Sequence, residues 1–250
     1  MALLQLDAVG KRFGQVVVAE NVSLTVEAGA LVGVVGPNGA GKTTLFGIVS
    51  GDVRPDKGRV LFDGRVVNRL GAAARCRLGI GRTYQVPRPF GGMTVYENVL
   101  LAAQHGAGLR GRDSLDRAAD ALERAQLVAV ANRPAETLGL LQRKRLEMAR
   151  ALATRPRLLL LDEVAGGLTD PEVAELTGIV QSVQAEGVAI VWIEHVVRAL
   201  VACVDRLVCL AGGGIVADGE AHAVLADPAV REVYLGADIE TPTVGSEAPA

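Results

Sequence analysis

The sequence is poor in aromatic residues and carries almost no net charge. Phe, Trp and Tyr together make up 3% of its 250 residues, and the formal net charge is -2. Such a chain has no overall positive field to attract nucleic acid, so nucleic-acid binding would need a local basic patch. The basic cluster Arg143-Lys144-Arg145 is short. We therefore expect no nucleic acid among the partners of this protein.

Cysteines and long apolar runs are also scarce. Cys76, Cys203 and Cys209 are unevenly spaced, which fits neither a zinc site nor a disulfide framework. No segment approaches the ~18 apolar residues of a membrane span, and the first residues lack the basic start and apolar core of a signal peptide. We expect a chain that works in a reducing cytosol and does not itself cross a membrane.

Half of the sequence is nevertheless hydrophobic, and it is arranged in short patterned runs. Residues 3–9 and 16–26 alternate apolar and polar positions, and Asp63-Gly64 separates two further short apolar runs, which favours a hairpin. A second hairpin is indicated around Gly212-Gly213-Gly214. These patterns predict an antiparallel β layer at the N-terminus and a hairpin near the end of the chain.

The middle and later parts of the chain follow other patterns. Helical patterns run from residue 95 to about 153, including one over 115–130 and one over 144–153. Residues 158–161 and 188–193 are continuous apolar runs, typical of strands buried on both faces of a parallel sheet. The sequence therefore predicts an α/β fold with a mostly parallel sheet and an inserted helical region.

The stretch Gly36–Thr44 matches G-x-x-x-x-G-K-[ST], the pattern of a phosphate-binding loop. It lies between a strand-like run at 31–35 and a helical pattern, where the loop N–H groups and the helix N-terminus would attract phosphate. We predict that Lys42 reaches the β- and γ-phosphates and that the Thr43 hydroxyl binds Mg²⁺. The alternative is a glycine-rich turn with an incidental lysine. The predicted nucleotide-binding residues of the loop are Gly36, Pro37, Asn38, Gly39, Ala40, Gly41, Lys42, Thr43 and Thr44.

Two acidic residues, Asp162 and Glu163, follow the apolar run at 158–161. A strand that ends in a carboxylate can deliver it to Mg²⁺ beside a phosphate loop, so we predict Asp162 as a metal ligand. Glu163 is placed to polarise the attacking water as general base. Alone, the same pattern fits a strand end with a solvated turn; the phosphate loop favours the nucleotide site.

Over residues 3–236 the sequence resembles the ATP-binding cassette superfamily, because further motifs follow in that family's order. Gln85 in Arg82-Thr83-Tyr84-Gln85 resembles the Q-loop glutamine, which senses Mg²⁺ and the water. His195 is similar to the switch histidine at the γ-phosphate, and Phe13 stands where the family places a ring under adenine. Each has a simpler alternative in isolation: a surface glutamine, a hydrogen-bonded histidine or a core phenylalanine.

The resemblance implies a fold, a domain plan and a set of site residues. The fold is that of a P-loop NTPase with a RecA-like core, as an ATP-binding domain over residues 1–236 with a helical subdomain at about 86–155. Residues 237–250 are expected to form a disordered tail. The implied cofactors are ATP and Mg²⁺. The implied catalytic residues are Lys42, Gln85, Glu163 and His195, and the implied metal ligands are Thr43, Gln85 and Asp162.

The chain departs from the family at its signature motif, L-S-G-G-Q. The aligned residues are Leu138, Gly139, Leu140, Leu141 and Gln142. In the family, the serine hydroxyl and the second glycine N–H meet the γ-phosphate bound to the opposite subunit. Gly139 has no hydroxyl, and Leu141 places a branched side chain where backbone approaches phosphate. We therefore expect a degenerate signature. A further departure is Val164, where the family usually has proline.

Within the superfamily the sequence most resembles the ATP-binding subunits of branched-chain amino acid importers. The matching segments are Arg82–Gln85, Gly92–Val99, Gln142–Leu152, Ala165–Thr169, Ile193–His195 and Val233–Gly236. The resemblance implies a peripheral subunit at the cytoplasmic side of the inner membrane. Its implied partners are a second, different cassette, two transmembrane permease subunits and, indirectly, a periplasmic solute-binding protein.

Other functions stay open at this point. Amide or urea importers have very similar ATPases, and the degenerate signature allows a nucleotide-binding partner with little turnover. Cassette proteins of DNA repair or ribosomes usually carry coiled-coil insertions or duplicated cassettes, which this sequence lacks. A kinase or GTPase is less favoured, because no guanine-reading Asn-Lys-x-Asp is present.

Overall fold

The alternating residues near the N-terminus form two long antiparallel strands. The computed structural model describes residues 1–195, 197–204 and 206–235. In it, β1 (Ala2–Phe13) pairs with β2 (Val16–Glu27) on one side and with β4 (Lys57–Phe62) on the other, and β5 (Arg65–Val66) pairs with β4. Asp63 and Gly64 make the β4–β5 turn with φ of 52° and 72°, the left-handed backbone of a tight hairpin turn. The predicted antiparallel layer and its hairpin are confirmed.

The continuous apolar runs lie in a second sheet. Its strands are β3 (Leu31–Val35), β6 (Ile80–Arg82), β7 (Leu158–Asp162), β8 (Ala189–Ile193), β9 (Arg206–Ala211) and β10 (Gly214–Glu220). The strand order is β10-β9-β3-β8-β7-β6. Neighbouring strands from β9 to β6 are parallel, and β10 pairs with β9 as the predicted late hairpin. All residues of β7 and β8 are buried, as expected for strands covered on both faces.

Helices follow and connect the strands of this sheet. They are α1 (Lys42–Ser50), α2 (Ala72–Leu78), α3 (Val95–His105), α4 (Gly111–Arg124), α5 (Leu140–Ala153), α6 (Asp170–Ala185), α7 (Val197–Val201), α8 (Ala221–Ala226) and α9 (Pro228–Leu235). Short 3₁₀ turns lie at Val128–Val130 and Ala135–Thr137. Within the residues that the structure describes, no helix is long and apolar enough to cross a membrane.

The structure corrects two helix boundaries. The helix predicted over 115–130 begins earlier, at Gly111, and ends at Arg124, because Gln126 has a left-handed φ of 56° that a continuing α-helix cannot accommodate. The helix predicted over 144–153 begins at Leu140, inside the signature segment. The predicted disordered tail, 237–250, lies outside the described residues, as does Gly236 at the end of the last matching segment.

Two hydrophobic clusters lie on opposite faces of the parallel sheet. One joins the sheet to the antiparallel layer and to α1, and includes Phe46, Val34 and Leu160. The other joins the sheet to α3, α4, α5 and α6, and includes Trp192 and Met148. The antiparallel layer and α1 are therefore packed on one face of the sheet, and the helices α3 to α6 are packed on the other. The candidate site lies where the strands of this sheet end.

Candidate nucleotide site

The predicted phosphate loop connects β3 to α1 and has room only for glycine at two positions. Gly36 and Gly41 have φ of 151° and 93°. A Cβ atom at Gly36 would lie 2.1 Å from the carbonyl oxygen of Leu210, and one at Gly41 would lie 2.2 Å from that of Val18. The loop is thus held between β9 and β2, and its shape depends on the missing side chains.

The N-terminus of α1 is built to receive an anion. The helix has no side-chain cap and no acidic residue in its first turn, so its first N–H groups are available to a ligand. Asn38, Gly39 and Thr43 are exposed along the loop. The dipole of α1 and its free N–H groups together favour the binding of a phosphate group at this end of the helix.

Lys42 lies across this loop. Its side chain is buried, and Nζ donates hydrogen bonds to the carbonyl oxygens of Gly36, at 2.7 Å, and Pro37, at 3.0 Å. Burial lowers the pKa of Lys42, while the negative charges of Glu163 and Asp162 raise it. The ammonium group is thus already positioned between the loop and the acidic pair, where phosphate oxygens would be neutralised.

Asp162 ends β7 with one carboxylate oxygen held and the other free. Its side chain is 2% exposed, and Oδ2 lies 3.0 Å from Nη2 of Arg82. Among the described residues, Oδ1 has no hydrogen-bond partner. Burial raises the pKa of Asp162 above its ordinary value, and the hydrogen bond from Arg82 only partly opposes this rise. A buried carboxylate oxygen without a partner among the described residues, in a carboxylate that interacts with the charge of Lys42 in the phosphate loop, fits Mg²⁺, which prefers hard oxygen ligands.

Glu163 meets two of the other predicted site residues. Its carboxylate accepts a hydrogen bond from Nε2 of Gln85, and its Oε1 lies 2.7 Å from Nε2 of His195. The residue adopts a left-handed φ of 49°, and its N–H donates to the carbonyl of Ile193 at 2.9 Å. Register explains the meeting, because Asp162 on β7 and Val34 on β3 both pair with Ile193 on β8. Three strand ends therefore deliver the site to one edge of the sheet.

Phe13 lies at the end of β1, and its side chain is 51% exposed. The alternative that it is a core residue is therefore wrong. Nζ of Lys11 lies 5.2 Å from the ring centroid. The hairpin that carries Phe13 continues into β2, where the carbonyl of Val18 lies against Gly41 of the phosphate loop.

The signature segment forms the start of α5. Leu138 is buried, Gly139 is the N-cap residue without a side-chain cap, and Leu140 is 44% exposed. Leu141 is half-buried and packs on the cluster that contains Trp192, and Gln142 is also half-buried. A Cβ atom at Gly139 would meet nothing within 4 Å, so the position has room for a serine.

Three charged residues at the site were not assigned a role from sequence. Arg82 joins Asp162 to Asp52, whose Oδ2 lies 3.0 Å from Nη1 of Arg82. Glu194 is 1% exposed, and Lys144 on α5 is 4% exposed. Arg82 and Glu194 stand inside matched motifs, at the ends of apolar strands, which is the signal that could have identified them. Lys144 also lies in a matched segment, Gln142–Leu152, but it follows no apolar strand, and a basic triplet usually indicates a solvated helix face.

Glu194 is tied to the segment that follows Glu163. Its Oε1 accepts hydrogen bonds from the N–H of Ala165, at 2.6 Å, and from Nε1 of Trp192, at 3.0 Å. Its Oε2 has no partner among the described residues. Burial raises the pKa of Glu194 and the two hydrogen bonds lower it.

These elements define the class of protein. A parallel sheet whose strand β3 leads through a glycine loop into α1, with an acidic pair at the end of β7, is the fold of a P-loop nucleoside triphosphatase. Residues 19–166 match the family model described as ABC transporter. The chain therefore belongs to the ABC transporter family, as an ATP-binding subunit, and the subunits of this family are ATPases coupled to transport.

Curated relatives cover almost the whole chain. The high-affinity branched-chain amino acid transport ATP-binding protein BraF of Pseudomonas aeruginosa is 36% identical over 250 residues, with 94% of this chain and 98% of that protein covered. The lipopolysaccharide export system ATP-binding protein LptB of Escherichia coli strain K12 is 34% identical, covering 95% of this chain and 99% of that protein. The two values are comparable, so family membership does not select a cargo.

A solved structure gives the same fold. The ADP conformation of MJ1267, an ATP-binding cassette of an ABC transporter, superposes with a TM-score of 0.85 at 31% identity, covering 94% of this chain and 99% of that one. The predicted P-loop NTPase fold, with its mostly parallel sheet and antiparallel β layer, is confirmed.

Proposed function

We propose that this chain is the ATP-hydrolysing subunit of an importer for branched-chain amino acids. The observation that carries the proposal is the 36% identity to BraF across almost the full length of both chains. The competing candidate is lipopolysaccharide export, which is favoured by the 34% identity to LptB. Both candidates need the same ATPase, and they differ in cargo and direction of transport.

ATP hydrolysis by this subunit would use the residues gathered at the ends of β3, β7 and β8. The N–H groups of loop 36–44 and the ammonium of Lys42 bind the phosphates, and Phe13 stacks on adenine. Thr43, Gln85 and Asp162 would hold Mg²⁺, which would neutralise negative charge on the phosphates.

Glu163 accepts the proton of the attacking water, and His195 and Gln85 orient the carboxylate. Both groups already contact Glu163: Nε2 of His195 lies 2.7 Å from its Oε1, and Gln85 donates to Oε2. The carboxylate is thus restrained from two sides before a nucleotide is bound. Because the Glu163 side chain cannot rotate freely, its carboxylate is held in one orientation toward the attacking water, which favours in-line attack.

Cassettes of this family work as dimers on transmembrane permease subunits. The proposed partner surface for the permeases is the segment 87–96 at the start of the helical subdomain, about 86–155, at the cytoplasmic side of the inner membrane. Exposed apolar side chains in and beside it support this proposal: Tyr84, Val86, Phe90 and Met93 are between 37% and 64% exposed. Apolar exposure of this density in a short segment is typical of a docking site. A periplasmic solute-binding protein would deliver the cargo to the permeases.

The degenerate signature supports a heterodimer whose two ATP sites differ. ATP on this chain's Lys42 and Glu163 would face the signature of the second cassette. ATP on the second cassette would face Gly139 and Leu141 of this chain, which offer no hydroxyl and a larger side chain. We therefore propose fast hydrolysis at the first site and slow hydrolysis at the second, so this chain contributes little to its partner's turnover.

Recovery of the assembled transporter tests the cargo. The tagged chain is purified from membranes, and copurifying subunits are identified by mass spectrometry. Two polytopic permeases, with ATPase activity stimulated by a leucine-, isoleucine- or valine-loaded binding protein, support the proposal. Stimulation by urea or an amide, copurification of lipopolysaccharide, or recovery of ribosomes or DNA overturns it.

Separate inactivation of the two sites tests the asymmetry. Glu163→Gln in this chain, and the equivalent change in the second cassette, are introduced one at a time into the purified complex. Loss of nearly all turnover with Glu163→Gln and little loss with the other change supports unequal sites. Equal losses overturn the unequal assignment but leave the transport function standing.

A further inference from the structure

Lys144 is a buried cation that serves none of the roles described above. It lies in the second turn of α5, and its side chain is almost completely enclosed. Burial lowers the pKa of Lys144, and the charges of Glu194, Glu163 and Asp162 raise it. A buried lysine costs free energy unless polar groups compensate it, so its contacts indicate what it does.

Those contacts are two backbone carbonyl oxygens in different loops. Nζ of Lys144 donates to the carbonyl of Gln85 at 2.9 Å and to the carbonyl of Glu163 at 3.0 Å. The same two residues meet again through their side chains, since Nε2 of Gln85 donates to Glu163. Lys144 therefore closes a ring of hydrogen bonds in which both backbone and side chains of the pair are fixed.

The ring matters because the Glu163 backbone is not in a relaxed conformation. Its φ of 49° is left-handed, and at a non-glycine residue this conformation is unfavourable and persists only where neighbours hold it. Lys144 binds the carbonyl of that residue, and Ile193 binds its N–H. Removing the ammonium takes one donor from the carbonyl of Gln85 and the shorter of two hydrogen bonds from the carbonyl of Glu163, which keeps only the 3.4 Å hydrogen bond from the N–H of Gly166.

From these contacts we infer that Lys144 is a positioning residue that holds Glu163 and Gln85 in register for hydrolysis and links them to α5. It touches neither nucleotide nor water itself. Because α5 begins with the signature residues, the link also connects this chain's hydrolytic cluster to the helix whose end would face the partner's ATP. The part that concerns hydrolysis rests on the proposed function.

The test compares Lys144→Met with Lys144→Arg, and with Lys57→Met as a control at an exposed position of β4. Methionine has similar length and no donor, whereas arginine can still reach two carbonyls. In the complex, Lys144→Met should lower kcat by ~10²-fold, the loss expected for a small misplacement, with KM changed less than about twofold. Lys144→Arg should recover most of kcat, and Lys57→Met should match the wild type.

Hydrogen exchange on the isolated chain gives a readout that does not need turnover. We expect Lys144→Met to raise amide exchange in the segments around Gln85 and Glu163 while α1 and the antiparallel layer are unchanged. If the wild-type complex fails to hydrolyse ATP, the proposed function is wrong, and raised exchange in both segments still supports the link. Unchanged exchange, exchange raised throughout α5 instead, or a loss that appears in KM rather than kcat overturns the inference.

Discussion

Arg82 holds Oδ2 of Asp162 at 3.0 Å and leaves Oδ1 buried without a partner among the described residues. Arg82 is itself anchored, because Nη1 contacts Asp52 at 3.0 Å and Ser50 at 3.2 Å. A carboxylate restrained in this way presents one oxygen in a fixed direction. We infer that Arg82 orients the carboxylate of Asp162, the predicted metal ligand, before a metal ion binds.

If Arg82 orients Asp162, removing its guanidinium should selectively weaken the binding of Mg²⁺. Arg82→Met should weaken the apparent Mg²⁺ affinity of the nucleotide complex by ~10- to 100-fold, the usual effect of removing a group that orients a metal ligand. Binding of nucleotide without metal should change much less. The measurement is a Mg²⁺ titration with a fluorescent ATP analogue.

The matched control for Arg82 is Arg112→Met, which removes an arginine from the exposed Arg112–Asp116 pair on α4. Exposed pairs of this kind contribute little to stability, so the variant should behave as wild type. An Arg82→Met protein with normal Mg²⁺ affinity contradicts the orienting role.

How far the sequence determined the site differs between residues. The loop 36–44, Asp162, Glu163 and His195 could be placed from sequence because each closely follows an apolar run, and the ends of parallel strands meet at one edge. Gln85 follows from motif order alone. The register of β7 and β8, with Asp162 opposite Ile193, then supplies the geometry that the motifs require.

The rest of the site depends on packing between segments distant in sequence. Lys144 stands in a run of charged residues that resembles a solvated helix face, and only the approach of α5 to two loops buries it. Arg82 finds its acidic partners in two different elements. The end of α4 was missed for a local reason, since the left-handed backbone of Gln126 has no marker such as glycine.

Gly36 predicts a strong and testable sensitivity of the phosphate loop. Gly36→Ala would place a methyl group 2.1 Å from the carbonyl oxygen of Leu210 at a φ of 151°, so loop or β9 must move. We expect a loss of about 1–3 kcal/mol in unfolding free energy and loss of nucleotide binding. Thermal or urea unfolding and analogue binding measure both.

Gly178→Ala is the matching control for the same chemical change. Gly178 lies in α6, where an added Cβ meets nothing within 4 Å. Alanine in a helix interior should raise stability by roughly 0.5–1 kcal/mol. Equal effects of the two substitutions would show that the loop is not constrained as described.

The buried carboxyl group of Glu194 should make the folding stability depend on pH in the acid range. Burial raises the pKa of Glu194 above its ordinary value of 4.5, so the folded chain keeps this proton at pH values where the unfolded chain loses it. The proton-linked stability is therefore present below pH 4.5 and is lost as pH rises through the folded-state pKa. Glu194→Gln should lack this decline.

Trp192 offers a direct probe of that titration. It is the one tryptophan in the sequence, and its Nε1–H donates to Glu194. Its emission should change in the wild type as Glu194 ionises, at pH values above those at which an ordinary glutamate ionises, and should stay constant in Glu194→Gln. An identical emission profile in both proteins would refute the assignment of the titration to Glu194.

Repair of the signature segment predicts a gain of function. Gly139 is the N-cap of α5 and has open space at Cβ, so Gly139→Ser should fit and cap the helix, with a stability gain of a few tenths of a kcal/mol. Leu141→Gly clears the approach to the partner's phosphate, but it removes a half-buried side chain that packs on the core. That change should cost on the order of 1–3 kcal/mol in stability.

The double variant Gly139→Ser, Leu141→Gly should therefore unfold at a lower temperature and yet raise the steady-state ATPase rate of the assembled complex. The rate gain should disappear when the catalytic glutamate of the second cassette is replaced, because the repaired signature faces that cassette's ATP. Leu141→Gly both removes the side chain and makes the backbone more flexible. Leu141→Ala separates these two effects, since it removes most of the side chain without the backbone freedom of glycine. A double variant that loses stability and gains no rate shows that the segment is adapted to its present sequence, and the asymmetric dimer then has to be explained by other residues.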